Sequence, residues 1–356
     1  MKNVTNHQRP GVYSVYEASG LTAGNGGGKT VGLVALCTKN GANVPKAGVA
    51  VTYRRYQEAA EAFGTEENLT ELIRLLLLNG AAAVTAIPVK IEGEYAAGFA
   101  TLEKLENIAI VLCDSTAAGV QKALLDSVNL AAQNRRERIC VLCGEAGETV
   151  TNLVARAKVS NDKRCVLAAP GAVKPDGTPA HPAHVAAAVA GALAGETDPA
   201  LPLGGATLQG LAGLAVSYTD EELDGLILGG VTAVESVGGI VSVIRAVTTA
   251  TTTGGAPDST WRELTTILIT DQVISGLRNA LRARFPRAKN TEQSRGAIRS
   301  QVMLELENRK EREMITGYDG VSVTAMPDKP TVCLVEFSFT VAHGLSQIWL
   351  SANITV

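Results

Sequence analysis

This chain of 356 residues has few aromatic residues, no cationic excess and no long uncharged apolar segment, and each of these deficits excludes a class of protein. Only 4% of its residues are aromatic although 46% are hydrophobic, so its core has to be built from Ala, Val, Leu and Ile. The net charge of −3 argues against a nucleic-acid binder that works by neutralising phosphates. The longest uncharged stretches are rich in Ala and Gly and broken by Pro, and the N-terminal segment is polar. The sequence therefore predicts neither a membrane span nor a signal segment.

Cysteine and histidine are also scarce, and their spacing does not indicate a metal site. Most of the six cysteines lie in apolar, strand-like runs, which is typical of buried thiols in a reducing compartment. Cys140 and Cys143 have the spacing of a metal pair, but on a strand residues three apart point to opposite faces. His181 and His184 lie close to Asp176, and without a further ligand we favour capping or surface roles for them.

Two short motifs suggest an enzyme or a nucleotide-binding protein. Gly28-Lys29-Thr30 resembles the end of a phosphate-binding loop, but Ala23 occupies the position of the first glycine and a strand-like run follows instead of a helix. Asp114 follows the apolar run 108–113, where α/β enzymes often place a catalytic group, and it could equally cap the next helix.

The middle of the chain alternates apolar strand-like runs with helical segments. The runs 83–89, 108–113, 138–143 and 164–168 are continuously apolar, and helical patterns at 117–135 and 149–160 lie between some of them. This pattern predicts a mostly parallel sheet with helices on both faces, followed by an Ala-rich helix over 182–195.

The C-terminal third has a different pattern. Gly238-Gly239 lies between two strand-like runs and predicts a hairpin. Two capping boxes, Thr219 with Glu222 and Thr260 with Glu263, predict helices, the second of them long and ending at Pro286. Asn290 begins a second long helix that reaches about residue 315, and strand-like runs at 321–325 and 332–341 follow it. Residues 248–259 read as a polar linker.

The last ten residues, 347–356, alternate strictly between apolar and polar positions, which predicts a β-strand. An apolar strand of this kind needs a partner for its backbone groups. It could pair within its own sheet, or it could be donated to a neighbouring subunit.

Several of these features together resemble the contractile phage tail sheath proteins, a family that includes subunits of injection systems and R-type bacteriocins. Arg9-Pro-Gly-Val-Tyr13 resembles the opening of that family. The hairpin, the Thr-rich stretch 248–253, Trp261 and the first long helix are similar to the family's core, as are Phe285-Pro286, the second long helix and the closing strands.

The resemblance implies an α/β (α+β) fold, with a mixed sheet flanked by helices, antiparallel C-terminal strands and extended arms at both termini. The expected domains are an N-terminal arm (1–20), an α/β sheath region that the family's nomenclature calls subtilisin-like (21–218), a C-terminal sheath core (219–346) and a C-terminal arm strand (347–356). It further implies a structural subunit without catalytic, cofactor-binding or metal-binding residues.

The resemblance also implies specific contacts. The N-terminal arm strand would contain Val12, Tyr13, Val15 and Tyr16, and the C-terminal arm strand Ile348, Leu350, Ala352, Ile354 and Val356. Both would add to neighbouring subunits of a helical or stacked-ring homopolymer. Its other partners would be an inner tail tube, a baseplate and a tail terminator, without nucleic acid or membrane insertion.

The resemblance places the polymer in the tail of a virion or injection particle, assembled in the bacterial host cytoplasm, where contraction drives the tube through a target envelope. From their charge alone, Arg295 and Arg299 are candidates for contact with the tube. Two alternatives remain open: a cytosolic α/β nucleotide-binding protein or enzyme using Lys29 or Asp114, and a non-contractile tube or shell protein.

Overall fold

The computed structural model describes residues 28–41 and 44–345. The predicted arm strands, one containing Val12, Tyr13, Val15 and Tyr16 and the other containing Ile348, Leu350, Ala352, Ile354 and Val356, lie outside the described residues. Their pairing stays a prediction.

Strands and helices alternate along most of the described chain. The strands are β1 (Thr30–Leu36), β2 (Val51–Tyr53), β3 (Ala83–Val89), β4 (Ile108–Cys113), β5 (Ile139–Cys143), β6 (Cys165–Ala169), β7 (Ala172–Val173), β8 (Gly213–Leu214), β9 (Val231–Val237), β10 (Ile240–Arg245), β11 (Thr252–Thr253), β12 (Ala256–Pro257), β13 (Ile315–Met326) and β14 (Lys329–Val341). The helices are α1 (Tyr56–Phe63), α2 (Asn68–Leu78), α3 (Tyr95–Glu103), α4 (Ala118–Gln133), α5 (Val150–Ser160), α6 (Ala183–Gly195), α7 (Asp220–Leu228), α8 (Leu264–Arg284) and α9 (Glu292–Glu311).

Eight strands form one sheet in the order β10-β9-β6-β5-β4-β1-β3-β2. The strands from β9 to β3 in that order are parallel, whereas β10 and β2 pair antiparallel at the two ends. Every residue of β3, β4, β5 and β6 is buried, because continuously apolar strands are stable only where both faces of the sheet are covered. The predicted mostly parallel sheet is confirmed.

The side chains of each strand alternate between two apolar layers. Cys143 lies in the layer that α2 and α6 cover, and Cys140 lies in the opposite layer with residues of α3 and α4. The prediction that these two thiols face opposite sides of the sheet is confirmed, and the described residues contain no group of three possible metal-ligating side chains.

The Ala-rich helix α6 lies unusually close to α2. A Cβ atom at Gly191 would lie 2.7 Å from the carbonyl oxygen of Leu76, so only glycine allows the observed approach. Ten of the thirteen residues of α6 are buried, which explains why this helix is almost entirely small and apolar.

Both edges of the large sheet are protected. The chain at 205–208 covers β10: the Val243 N–H donates to Ala206 O, and the N–H groups of Gly205 and Leu208 donate to β10 carbonyls. At the other edge, β2 has only three residues. Covering an edge or shortening it prevents unwanted strand pairing.

The C-terminal helices α8 and α9 and the β13–β14 hairpin share a third apolar cluster. Ile269, Val273 and Leu277 of α8 pack with Val302 and Leu306 of α9 in this cluster. The β9–β10 hairpin, which also follows residue 219, belongs to the large sheet instead. The proposed boundary between 218 and 219 thus crosses one sheet, and the division into domains stays a prediction.

Buried charges attach α8 to the amino ends of the parallel strands. Arg164, next to β6, binds both carboxylate oxygens of Asp271 at 2.8 and 3.0 Å, and the two side chains are 1% and 2% exposed. Nearby, Arg278 lies 3.3 Å from a carboxylate oxygen of the buried Glu137. Burial, together with the Asp271 carboxylate, raises the pKa of Glu137 against the opposing pull of Arg164 and Arg278.

Several local predictions were wrong or incomplete. The capping box of Thr219 with Glu222 is confirmed, but Thr260 with Glu263 forms none: α8 begins after Glu263, whose carboxylate binds Arg245 instead. The second long helix ends at Glu311, and β13 begins at Ile315, inside the region predicted to be helical.

The segment 248–259 is more than a polar linker. Thr248 and Thr249 are fully buried, and β11 pairs with β12 within the segment. The short elements β2 and α3 were not predicted.

We expect the Arg164–Asp271 pair to contribute strongly to stability. Asp271→Asn removes the carboxylate that binds the buried Arg164 guanidinium through two hydrogen bonds, which should lower the free energy of unfolding by about 3–5 kcal/mol. Asp126→Asn is the matched control, because Asp126 forms only an exposed pair with Lys122 and should change stability by less than about 0.5 kcal/mol. Urea unfolding measures both, and equal midpoints for the two variants would contradict the prediction.

Candidate intersubunit strand-pairing site

The β13–β14 hairpin is the longest pair of strands in the described chain and forms a separate two-stranded sheet. Its strands pair antiparallel from Ile315↔Val341 to Met326↔Lys329, with irregularities near Gly317, Asp319 and Ala325. Within the described residues, neither strand has a partner on its outer side. Each outer side therefore presents backbone N–H and C=O groups that could pair with another strand.

Helix α9 holds the hairpin from one side. The Arg299 Nε donates to Val321 O at 2.9 Å, and the Asn290 side-chain amide donates to Pro330 O at 2.7 Å. A hydrogen bond between Glu307 and Tyr318 lowers the pKa of the carboxyl group and raises that of the phenol. These bonds hold the hairpin against α9, and no further strand pairs with it within the described residues.

The apolar side chains of the hairpin are only partly covered. Val332, Cys333, Leu334 and Val335 are consecutive apolar residues of β14, and all four are half-buried. Phe337 and Phe339 are also half-buried, and their rings stack with centroids 6.2 Å apart. Isolated two-stranded hairpins are marginally stable in water, so this one gains from additional strands.

The last described residues, which follow β14, run beside a surface loop. The Ala342 N–H donates to Met314 O, and a Cβ atom added at Gly344 would meet the ring of Pro202. Leu345, 76% exposed, is the last residue described. The chain therefore leaves the hairpin between the residues that precede β13 and the loop at 198–204.

The two arginines predicted to contact a tube both lie on α9. Arg295 donates to the side chain and carbonyl of Asn290, and Arg299 binds Val321 O as described above. With Met303, which is 38% exposed, they follow one another at four-residue spacing along one side of the helix. No contact with a tube is tested, so this role stays a prediction.

The residues considered for a nucleotide site bind or pack against other parts of the fold. The Lys29 ammonium, on the residue before β1, donates to Glu196 O at 2.7 Å, and burial lowers its pKa. A Cβ atom at Gly28 would lie 2.1 Å from Gly80 O, so the backbone there is packed tightly. Lys29 and Gly28 join β1 to the ends of α6 and α2 and do not form a phosphate-binding loop.

Asp114 is buried at the carboxyl end of β4 and does not cap α4. One carboxylate oxygen accepts the Leu36 N–H at 3.1 Å, and the other accepts the Tyr95 hydroxyl. The Tyr95 pKa is raised, mainly by burial and also by the Asp114 charge. The N-cap prediction is wrong, and Asp114 instead links the ends of β1 and β4 to α3.

The two histidines have structural partners. The His181 Nδ1 accepts the Ala183 N–H at the start of α6, although Pro182 is the N-cap residue of that helix, and His184 lies 3.0 Å from the Asn68 side-chain oxygen. Burial lowers both pKa values, that of His184 to about 4, so both rings are neutral at pH 7. In the part of the chain that the structure describes, no helix is long and apolar enough to cross a membrane.

Sequence reasoning did not identify β13–β14 as an acceptor for strands. It found the second half of β13 but made no prediction for residues 316–320. The apolar residues Val335, Phe337, Phe339 and Val341 alternate with polar residues in the sequence. This alternation was the signal that only one face of β14 is covered.

Taken together, the described chain combines a core sheet with protected edges and an attached hairpin whose outer edges have no strand partner. Two family models match the chain: the phage tail sheath protein central domain over residues 90–249 and the phage tail sheath C-terminal domain over residues 256–355. The chain belongs to the phage tail sheath family.

A curated relative and solved structures agree with this assignment. The tail sheath protein of Bacillus phage SP01 is 27% identical over 257 residues, which are 70% of this chain and 43% of that protein. The chain thus spans less than half the length of this relative. The helical sheath of the anti-feeding prophage in its contracted state has the same fold, with a TM-score of 0.73, 14% identity and coverage of 99% of this chain and 98% of that chain. The sheath tail protein of Desulfitobacterium hafniense matches with a TM-score of 0.69, 11% identity and coverage of 93% and 100%, respectively.

We expect the hairpin to be less stable locally than the large sheet in the free subunit. Amide hydrogens of β13 and β14 should exchange faster than those of β4 and β5, because fewer apolar contacts and no flanking strands protect them. Hydrogen exchange followed by mass spectrometry measures this difference. Equal protection of the hairpin and of β4–β5 in the free subunit would contradict the expectation.

Proposed function

We propose that this protein is a structural subunit of a contractile tail sheath and that it polymerises when neighbouring subunits add strands to the β13–β14 hairpin. The single observation that carries the proposal is the open hairpin: both outer edges lack a partner within the described residues, whereas both edges of the large sheet are protected. Strand addition supplies main-chain hydrogen bonds for affinity and side-chain alternation for register.

The donated strands are proposed to be the two arms. The N-terminal arm contributes Val12, Tyr13, Val15 and Tyr16, and the C-terminal arm contributes the segment 347–356. The exit of the chain beside Pro202 supports donation, because there it departs from its own hairpin. Contacts of this kind are heterologous, so they extend into rings and helices and do not close into a dimer.

The polymer is proposed to surround an inner tail tube and to contract, which drives the tube through a target envelope. It would lie in the tail of a virion or injection particle and would be assembled in the bacterial host cytoplasm, with a baseplate and a terminator at its ends. Contraction requires the extended array to have the higher free energy, with small differences per subunit added over many subunits.

Two of the similar solved structures are relevant to these proposals. One is a sheath complex of an extracellular contractile injection system in the contracted state, and another is the baseplate of the anti-feeding prophage. Both support a subunit of a helical sheath attached to a baseplate. An enzyme or nucleotide-binding protein is not favoured, because Lys29 and Asp114 are already bound within the fold.

Deletion of residues 347–356 tests the proposal directly. The truncated chain should keep the urea midpoint of the full chain and lose polymerisation, because it lacks the strand for its neighbour. Pelleting by ultracentrifugation and negative-stain electron microscopy measure assembly.

The matched controls are two double variants of the full chain. Leu350→Ser with Ile354→Ser changes the predicted apolar face and should impair assembly, whereas Gln347→Ala with Asn353→Ala changes the other face and should not. Unfolding of the truncated chain would contradict the proposal, because the strand would then belong to its own core.

Charge reversal on α9 tests the contact with a tube. Arg295→Glu with Arg299→Glu should weaken co-sedimentation with the tube protein by about tenfold, or about 1.4 kcal/mol, through lost charge complementarity. Polymerisation without the tube is measured beside it, because Arg299 also binds Val321 O of the hairpin, and tube binding is compared at equal amounts of polymer. Lys122→Glu with Lys158→Glu alters the charge equally on exposed residues of α4 and α5 and serves as the control. Unchanged binding of the α9 variant would contradict the contact.

A further inference from the structure

The turn between α8 and α9 carries a strong positive charge in a chain whose net charge is negative. Residues 282–289 contain four basic residues and no acidic residue. Arg282, Arg284, Arg287 and Lys289 are exposed at the end of α8 and in the turn, and none of the four forms a salt bridge within the described chain. The positive charge is therefore available to a partner.

The start of α7 carries the opposite charge. Asp220, Glu221, Glu222 and Asp224 are exposed, and no basic residue lies between 217 and 225. Glu222 closes the capping box with Thr219, whereas the other three carboxylates have no described salt-bridge partner.

These two segments lie at opposite ends of the parallel sheet. Helix α8 crosses the amino ends of β5 and β6, where Asp271 binds Arg164 and Arg278 contacts Glu137. Helix α7 leads through a short turn into the amino end of β9 and packs against β9, so its own start lies toward the carboxyl ends. The subunit therefore has a basic and an acidic end along the strand direction.

A crevice extends the acidic end along the carboxyl ends of the strands. It includes a cavity of about 570 Å³ between the ends of β1 and β4, and Glu92, Asp114, Glu145 and His181 line this cavity together with hydroxyl and apolar groups. None of the described residues that line it is a lysine or an arginine. Glu145 pairs with Arg156, so the negative charge without a described salt-bridge partner comes from Glu92 and from the start of α7. The crevice continues past Glu148 to Tyr218, which is two residues before α7.

The shape and chemistry of the crevice suit a basic side chain with an apolar stem. Leu36 and Pro182 provide apolar contact, and Glu92 provides an exposed carboxylate. A phosphate ligand would have no cationic side chain to bind there. The α8–α9 turn has the complementary charge, and it belongs to the same chain.

We propose that the acidic carboxyl-end crevice of one subunit receives the basic α8–α9 turn of a second copy of this chain. The two surfaces differ and lie at opposite ends, so the contact is heterologous and repeats along a row of subunits without closing. It would act in addition to strand pairing, it would weaken as salt is raised, and it rests on the homopolymer proposed above.

Charge swapping in the full-length protein tests this contact at low salt. The turn variant is Arg287→Glu with Lys289→Glu, and the crevice variant is Glu92→Lys with Glu221→Lys. Each should lose pelleting, because like charges then face each other. An equimolar mixture of the two should pellet again, since every contact in an alternating polymer joins opposite charges. The variant with all four changes should also pellet.

Lys122→Glu with Lys158→Glu is the matched control and should pellet like the wild type. The inference is overturned if either single-surface variant pellets as well as the wild type, or if both fail and their mixture stays soluble. The latter result would assign the basic turn to a different partner, such as the tube. If the wild type pellets but the variants give either of those results, only this inference is overturned. If the wild type itself never pellets, both the proposed function and this inference are overturned.

Discussion

Backbone groups at the outer edge of a strand need hydrogen-bond partners, and the large sheet and the β13–β14 hairpin differ in how far the described chain supplies them. The large sheet satisfies it internally, through the cover at 205–208 and the three-residue β2. Within the described residues, the β13–β14 hairpin has no strand partner at either outer edge. Interaction through the large sheet would disturb the core, whereas interaction through the hairpin changes only an attached element. In the proposed polymer, this difference would confine strand pairing between subunits to one place on the subunit.

The hairpin is useful for assembly only if its position relative to the core is fixed. The buried Arg164–Asp271 and Arg278–Glu137 pairs attach α8 to the sheet, and the shared apolar cluster attaches α9 and the hairpin to α8. A pull on the hairpin is thus transmitted to the sheet through α8. Buried ion pairs resist such displacement because separating them exposes uncompensated charge in a poorly solvated interior.

The sequence predicted the elements that are determined by local pattern and missed those that depend on distant contacts. The apolar run Ile108–Cys113 could only be a buried strand, and the hairpin at Gly238-Gly239 followed from turn chemistry. The first half of β13 contains Gly317 and Gly320, poor strand formers held in place by β14. The partners Arg164 and Asp271 are 107 residues apart, so no local pattern joins them. For the candidate site, the sequence predicted the strands to be donated but not the hairpin that would accept them.

The placement of the thiols has a consequence for the chemical durability of the subunit. Five of the six cysteines are buried in or beside strands of the large sheet, and only Cys333, on β14, is partly exposed. Burial raises the pKa of Cys113 and Cys143, and also that of Cys333, so little reactive thiolate forms at neutral pH. Oxidants and disulfide exchange would have to await local opening of the fold. A subunit made in a reducing compartment could therefore meet oxidising surroundings without acquiring covalent cross-links that would fix it in one arrangement.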